Sequence, residues 1–332
     1  MDLLTQGLLG AALSVSIARH KDIRLASGVG MAAGLLADID VLVASASDPL
    51  LVVEFHRHFT HSVFFIPFGA LIAAGLLWPL LRNRLAPGRL YLYCLAGYSM
   101  SGVLDACTSY GTHLFWPLSD ERVSFHLISI VDPVFTGILL LAVALAWRYW
   151  QAWVVSVGLA LCGAYLVLGY VQLQRATDMA ESLALAREHR IERLVVKPSL
   201  GNLLLWRSTY ISDNTIYVDA LRAGISGRKV YPGDSVALFV PERDAEGIPT
   251  DSVLYNDILR FRLFADGYVA MDPEIPHLLG DMRYSMLPNA LNSLWGITLD
   301  DEHPERHAHY GFYRVNTRAV RARFWSMLKG DS

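Results

Sequence analysis

Long uncharged apolar stretches dominate the first half of the chain, and each approaches the length of a membrane-spanning helix. Crossing a hydrocarbon core of about 30 Å takes about 20 mostly apolar residues. Four stretches meet this standard, at 62–81, 90–110, 128–147 and 152–171. Two weaker ones precede them, because 25–46 contains two aspartates and 3–18 is short enough to be a re-entrant or interfacial helix. The pattern predicts an α-helical polytopic membrane domain of about five to six transmembrane helices.

The pattern becomes that of a polar globular domain near residue 172. Met179, Leu183, Ala186 and Leu194 recur at roughly helical spacing, which predicts an amphipathic helix. Turn residues then separate short β-like runs at 203–211, 215–220, 235–240, 267–271 and 311–315, and 318–328 resembles a closing helix. We therefore predict a transmembrane domain at 1–172 and a small α+β extramembrane domain at 173–332.

Composition supports a membrane protein and excludes some other classes. Only 18% of the residues are charged and 53% are hydrophobic, whereas soluble domains contain about 25% charged residues. The net charge of −3 and the lack of a long basic tract give no reason to expect nucleic acid binding. All three cysteines lie in the apolar half at spacings unlike a CxxC pair, which favours buried packing over disulfides. The first residues lack a basic n-region, so we expect no cleaved signal peptide.

Basic residues in the short loops predict the orientation, since cytoplasmic loops carry an excess of Lys and Arg. One set of loops contains Arg19, Lys21, Arg24, Arg82, Arg84, Arg89 and Arg148. The opposite loops contain only Arg57 and Arg122. We therefore expect a multi-pass protein of the bacterial inner membrane whose C-terminal domain lies in the periplasm.

Ionisable residues of the membrane half gather toward the predicted outer face. They lie at the end of an even-numbered segment or the start of an odd-numbered one, and these ends share one side of the bilayer. The residues concerned are Asp38, Asp40, His56, Arg57, His58, His61, Asp105, His113 and Asp132. Charges at membrane depth are costly and usually mark pairing or function. Carboxylates and imidazoles are ligands that suit zinc or manganese, so the cluster predicts a site for a divalent metal.

Structural explanations compete with the metal site at several positions. Asp132 precedes Pro133 near a helix start, which is typical of a cap, and His58 is compatible with a solvated loop histidine. Arg57 fits a substrate phosphate or a lipid headgroup equally well. Asp38 is compatible with a ligand, with a residue that orients a histidine, or with a helix-end charge.

Three ordered motifs resemble one family. Residues 30–40 (GMAAGLLADID), 56–62 (HRHFTHS) and 104–112 (LDACTSYGT), followed by Trp116 and Pro117, are similar to the YdjM-like bacterial inner-membrane proteins. The resemblance covers most of residues 1–135, and the longer form with an outward C-terminal domain is similar to a branch of that group.

The resemblance implies a metal-dependent hydrolase, distantly similar to the helical zinc phospholipase C and P1-type nuclease group. Carried over residue by residue, it implies Asp40, His56, His61 and Asp105 as metal ligands. Related patterns often place a histidine four residues before the later aspartate, where this sequence has Ser101. That departure leaves open a single metal, or compensation by His113.

We therefore expect a membrane-embedded hydrolase of an ester or phosphoester, with Asp38, or another carboxylate not bound to metal, as general base and Arg57 beside the substrate. Membrane lipid is the expected surrounding, and the position near the lipid–water boundary favours an amphiphilic or lipid-linked substrate. One alternative is a transport or metal-handling protein in which the aspartates line a polar path. Another is a structural membrane protein whose outward domain binds a partner.

Overall fold

The computed structural model describes residues 1–45, 47–224 and 227–331. The chain divides into two compact units, which we call the helical unit and the sheet unit. The helical unit comprises Met1–Val43, Phe55–Val171 and Leu200–Asn202. The sheet unit comprises Ala44–Glu54, Gln172–Ser199 and Leu203–Ser332. Segment 44–54 thus belongs to the sheet unit although both of its flanks belong to the helical unit.

Eight α-helices occupy the described chain up to residue 186. In order they are α1 (Leu3–Ser16), α2 (Ile23–Leu36), α3 (Leu51–Phe55), α4 (Ile66–Leu81), α5 (Pro87–Tyr98), α6 (Ser101–Ala106), α7 (Pro133–Tyr149) and α8 (Trp153–Ala186). Two 3-10 turns, Ala37–Leu42 and Phe59–His61, follow α2 and precede α4. The apolar run 90–110 is divided into two helices, α5 and α6. Helix α8 continues without a break past residue 171, where the predicted membrane segment ends, and no proline interrupts it.

The predicted helical N-terminal region is confirmed, with two candidate membrane spans among the described residues. Among the described residues, His20–Leu42 and Trp153–Ala186 are long and apolar enough to cross a membrane. The bent pair Leu51–His61 and Ile66–Leu81 adds a third crossing if it forms one span. Leu3–Ser16 and Pro133–Tyr149 are shorter apolar helices. The figure of five to six transmembrane helices stays a prediction.

Small residues let α1, α2 and α5 approach closely, as is common where membrane helices pack. A Cβ atom added to Gly10 would lie 2.9 Å from the carbonyl oxygen of Gly97 and would collide with the carbonyl of Gly30. Ser14 Oγ donates a hydrogen bond of 2.6 Å to the carbonyl of Tyr93, which ties α1 to α5. The outer side of α4 instead exposes large apolar residues such as Leu76 and Leu80, as expected of a surface that faces lipid.

The sheet unit contains two four-stranded antiparallel sheets, ordered β1-β2-β3-β4 and β5-β6-β7-β8. The strands of the first are β1 (Arg193–Pro198), β2 (Leu205–Ser212), β3 (Thr215–Ala223) and β4 (Arg228–Ala237). Those of the second are β5 (Val269–Met271), β6 (Leu278–Asp281), β7 (Trp295–Thr298) and β8 (His309–Phe312). Asp213 and Asn214, both with positive φ, form the two-residue turn between β2 and β3.

Three helices, α9 (Pro241–Asp244), α10 (Val253–Phe264) and α11 (Arg318–Lys329), complete the sheet unit. Arg207 on β2 is buried and donates to the carbonyls of Met282, Pro288 and Ala290, so one guanidinium joins the first sheet to the segment that follows β6. The predicted α+β domain is confirmed as a domain of two antiparallel sheets. The predicted closing helix 318–328 corresponds to α11.

Lys197 on β1 is an unusual feature of this unit. Its side chain is 4% exposed, and its Nζ lies 3.7 Å from the ring centre of Tyr284 without a hydrogen-bond partner among the described residues. Burial, reinforced by the nearby Arg283 guanidinium, lowers the pKa of Lys197 well below its usual value. The charged form is therefore disfavoured in the folded state relative to the unfolded chain.

We predict that Lys197→Met stabilises the sheet unit at neutral pH by about 1–3 kcal/mol, because it removes a buried, unsatisfied amine. The folded pKa is lower than the unfolded one, so the penalty is present below the folded pKa and disappears as the pH rises toward about 10. Thermal unfolding of both proteins between neutral pH and pH 10 measures the difference. Lys229→Met is the control, since Lys229 Nζ donates to the carbonyl of Gly330. A difference that is constant with pH would contradict the explanation.

Candidate metal centre

Asp38, His61 and Asp105 converge inside the helical unit. One ligand atom from each lies within 4.8 Å of the others, and all three residues are buried. His61 Nε2 lies 2.9 Å from Asp105 Oδ2 and 3.4 Å from Asp38 Oδ1. An imidazole nitrogen and two carboxylates therefore point into one small buried volume.

Three short elements position these side chains. Asp38 lies in the 3-10 turn that ends α2, His61 closes the turn Phe59–His61, and Asp105 lies on α6. Gly102 allows α6 to approach His61, since a Cβ atom at Gly102 would collide with the main-chain carbonyl of His61. Tyr98 Oη fixes the same turn from α5 by donating a hydrogen bond of 2.7 Å to the carbonyl of Thr60.

Asp40 lies on the other side of His61 and joins several groups. Its Oδ2 accepts hydrogen bonds from the main-chain N–H of Arg57 at 2.7 Å and from Thr60 Oγ1 at 2.8 Å. The same oxygen lies 3.3 Å from His61 Nδ1, and Oδ1 lies 3.2 Å from His56 Nδ1. Asp40 thus joins the turn after α2 to the ring of His61 and to the residues that follow α3.

His61 consequently has a carboxylate at each nitrogen. A neutral imidazole carries one N–H and one lone pair, so one of its nitrogens would face a carboxylate with no proton between them. Either a second proton or a cation must supply the missing positive charge. Among the described residues, His61 Nε2 and Asp38 Oδ2 are buried and form no hydrogen bond of acceptable geometry, and Nε2 faces Asp105 and Asp38.

Arg57 is buried beside Asp105. Its Nη1 lies 3.4 Å from Asp105 Oδ1, and its guanidinium carbon lies 4.9 Å from the ring centre of Tyr110. Gln6 Nε2 on α1 donates to Asp105 Oδ2 at 2.9 Å, and the amine of Met1 contacts Asp105 Oδ1. Asp105 therefore has more positive or donor neighbours than Asp38.

The structure brings all six predicted site residues into one neighbourhood, at different depths. Asp38, His61 and Asp105 form the innermost group, while Asp40 and Arg57 contact members of it. His56 contacts Asp40 and has a side chain that is 27% exposed.

The other polar residues noted in the sequence lie outside the innermost group. Asp132 caps α7 by accepting from the N–H groups of Val134 and Phe135, each at 3.1 Å. His113 packs against His58, with ring centres 4.6 Å apart. Burial, together with the Arg122 guanidinium, lowers the pKa of His113 to about 4. Ser101 is buried, and its carbonyl lies 3.4 Å from Gln6 Nε2.

Sequence reasoning placed Thr60 with the polar residues at this face but did not identify Gln6 as part of the neighbourhood. Gln6 carries the one amide side chain of α1, whose other polar residues are hydroxyl groups, and that amide was the available signal. Thr60 lies inside the HRHFTHS motif, but nothing in the pattern indicates that its hydroxyl binds Asp40.

The family comparison agrees with this arrangement of motifs. Residues 1–176 match the family model described as YdjM inner membrane protein. The chain belongs to this family. The match covers every residue of the candidate centre, so the YdjM-like resemblance is confirmed and the protein is an inner membrane protein. Comparisons with curated proteins and with solved structures return no match.

We predict that Gly102→Ala destabilises this YdjM family member by about 1–3 kcal/mol, because the added methyl group forces α6 away from the turn that carries His61. Melting of the purified protein in mild detergent measures the effect. Gly75→Ala on α4 is the control, since nothing lies within 4 Å of a Cβ atom there. Equal melting temperatures for the two variants would show that the close approach is not needed.

Proposed function

We propose that the protein is a membrane-embedded, metal-dependent hydrolase that acts on an ester or phosphoester. The observation that carries the proposal is His61, which has a carboxylate at each nitrogen and a buried Nε2 grouped with Asp38 and Asp105. One nitrogen and two carboxylates are a donor set that suits zinc first and manganese second. A divalent cation would also balance the charge that this buried group carries.

In this proposal Asp38, His61 and Asp105 hold the metal. When bound, it would supply Lewis acidity and lower the pKa of water at the site. Asp40, expected from the family resemblance to be a ligand, instead orients His61 through Nδ1, as carboxylates behind metal-ligating histidines commonly do. His56 supports Asp40 from the more exposed side.

Two residues are placed to handle substrate charge and protons. Asp38 would bind the metal through Oδ1, and its second oxygen, Oδ2, which has no hydrogen-bond partner among the described residues, would accept the proton as the predicted general base. Arg57 presents a guanidinium next to Asp105, and its Nε has no hydrogen-bond partner among the described residues. Guanidinium groups suit phosphate and carboxylate oxygens, so Arg57 would bind the oxygens of a phosphoester.

Exposed apolar residues beside the site favour an amphiphilic substrate. Ile39, Val41 and Leu42 lie in the same 3-10 turn as the two aspartates and are 47%, 52% and 74% exposed. A lipid-linked substrate could place its chain along these residues and its polar group at Arg57. With the orientation predicted from the basic loops, the reaction would take place at the periplasmic face of the inner membrane.

We predict that the purified protein carries about one equivalent of zinc or manganese per chain. Asp38→Asn, His61→Ala and Asp105→Asn should abolish binding, and Asp40→Asn should weaken it by about 10–100-fold. Plasma mass spectrometry and competition with a metal chelator measure both. Asp22→Asn is the control, because Asp22 is a buried carboxylate paired with Arg89 outside the site. Wild-type protein that binds no metal at micromolar supply would refute the proposal.

We predict that the metal-loaded protein hydrolyses a phosphoester, tested with a chromogenic phosphodiester and with phospholipid in mixed micelles. Arg57→Lys should lower turnover by about a hundredfold, because a lysine ammonium lacks the planar pair of donors that would bind the negative charge developing on the phosphoester oxygens. Metal content is measured on the same samples, because Arg57 also contacts Asp105. A fully loaded protein that cleaves neither these substrates nor carboxylesters would favour metal handling or transport instead.

A further inference from the structure

The sheet unit contains one segment whose two ends lead directly to the candidate metal centre. Segment 44–54 is joined to Val43 on one side and to Phe55 on the other. Asp40 lies four residues before it, and His56 lies two residues after its last residue. Asp38 and Asp40 therefore lie on the chain that enters this segment, and His56 and His61 lie on the chain that leaves it, whereas Asp105 comes from α6.

Asp40 joins the two stretches of chain that flank segment 44–54. The carboxylate accepts the main-chain N–H of Arg57 at 2.7 Å and lies 3.2 Å from His56 Nδ1, so the departing and returning chains meet there. Helix α3 covers Leu51–Phe55, which makes the backbone helical where the segment rejoins the helical unit. A displacement of Glu54 would thus be passed through helical backbone to Phe55, which directly precedes His56.

Within the sheet unit, segment 44–54 is held by Arg260 on α10. Its Nε and Nη2 donate to Glu54 at 2.6 and 2.9 Å, and its Nη groups donate to Asp48 at 2.9 and 3.2 Å. Arg260 Nη1 also donates to the fully buried Asp257 at 2.9 Å. One guanidinium therefore binds three carboxylates, two of which belong to the segment, in the paired geometry that makes such bonds strong.

Apolar packing reinforces the same attachment. Leu50 is 2% exposed and belongs to the core cluster of the sheet unit that also includes Ile258 and Phe261 of α10. Asp257 is itself fixed by the main-chain N–H of Ala308 at 2.9 Å. The segment is therefore bound to the sheet unit by a buried side chain as well as by the ion pairs.

We infer that Arg260 is a positioning residue for the metal centre, and that the sheet unit controls the centre's geometry by holding segment 44–54. The inference rests on the proposed function for its metal, but the attachment itself can be tested without one. This inference gives the sheet unit a role in the proposed reaction, although the sheet unit contributes none of Asp38, His61 and Asp105.

The matched control is Arg187, which forms an equally well-ordered pair in the same unit. Arg187 donates to both oxygens of Asp219 at 2.7 and 2.8 Å and does not touch segment 44–54. Arg260→Gln and Arg187→Gln each remove a guanidinium from a carboxylate in the sheet unit. A general loss of stability should therefore appear in both, whereas a positioning effect should appear only in the first.

The experiment measures metal affinity and hydrogen exchange on the full-length protein in detergent. Arg260→Gln should weaken zinc binding by about tenfold or more and speed exchange in peptides covering 37–43 and 55–61. Arg260→Lys should give a smaller change, because a single ammonium cannot satisfy three carboxylates. Asp48→Asn combined with Glu54→Gln should reproduce the effect from the segment's own side, without altering α10.

A second group of possible metal ligands must be distinguished from the candidate metal centre. Asp48, Asp257 and His307 also present ligand atoms within 4.8 Å of one another, so each affinity is measured again with His307→Gln in the background. Equal effects of Arg260→Gln and Arg187→Gln, or no effect of either on affinity and exchange, would overturn the inference. If wild type binds no zinc, the proposed function fails and the control of a metal centre fails with it. Exchange at 37–43 and 55–61 then decides separately whether Arg260 positions these residues.

Discussion

The arrangement of the helical unit depends on one buried imidazole that faces three carboxylates. Asp40 approaches Nδ1 of His61, while Asp38 and Asp105 approach Nε2. In a low-dielectric interior, carboxylates this close repel one another unless positive charge lies between them. His61, Arg57 and the amine of Met1 lie close enough to supply it, and the proposed divalent cation would add to it. The position of α6, the turn after α2 and the turn before α4 all follow from bringing these charges together.

The spacing of the two aspartates acquires a physical reason from this geometry. Asp38 and Asp40 are two residues apart in a 3-10 turn, in which residues at this spacing point in different directions. Each reaches a different nitrogen of the same ring, so in the proposed function Asp38 would bind the metal while Asp40 fixes the orientation of the His61 ring. An aspartate pair on one face of an α-helix, three or four residues apart, would not enclose the imidazole in this way.

Much of this arrangement could be predicted from the sequence, because membrane depth makes polar residues conspicuous. The helical region and the neighbourhood of Asp38, Asp40, His61 and Asp105 follow from hydrophobic length and from the side on which each segment ends. Which nitrogen of His61 each aspartate approaches could not be predicted. It depends on the 3-10 turn Ala37–Leu42, which the apolar pattern of 25–46 does not reveal. Helix α10 and strand β1 also went unnoticed, because their apolar residues alternate with charges in short runs. Nor could composition show that segment 44–54 belongs to the sheet unit.

That last feature changes how the two halves of the sequence are understood. A composition break near residue 172 suggests a membrane domain followed by an independent polar domain, but the chain enters the sheet unit once before that break. Leu50 lies in the core of the sheet unit, and Asp48 and Glu54 bind Arg260, more than 200 residues away in sequence. Closing a loop of this length costs conformational entropy, which the burial of Leu50 and the ion pairs of Arg260 offset. Since this segment separates Asp40 from His56, the residues it keeps in order include those that hold the ring of His61.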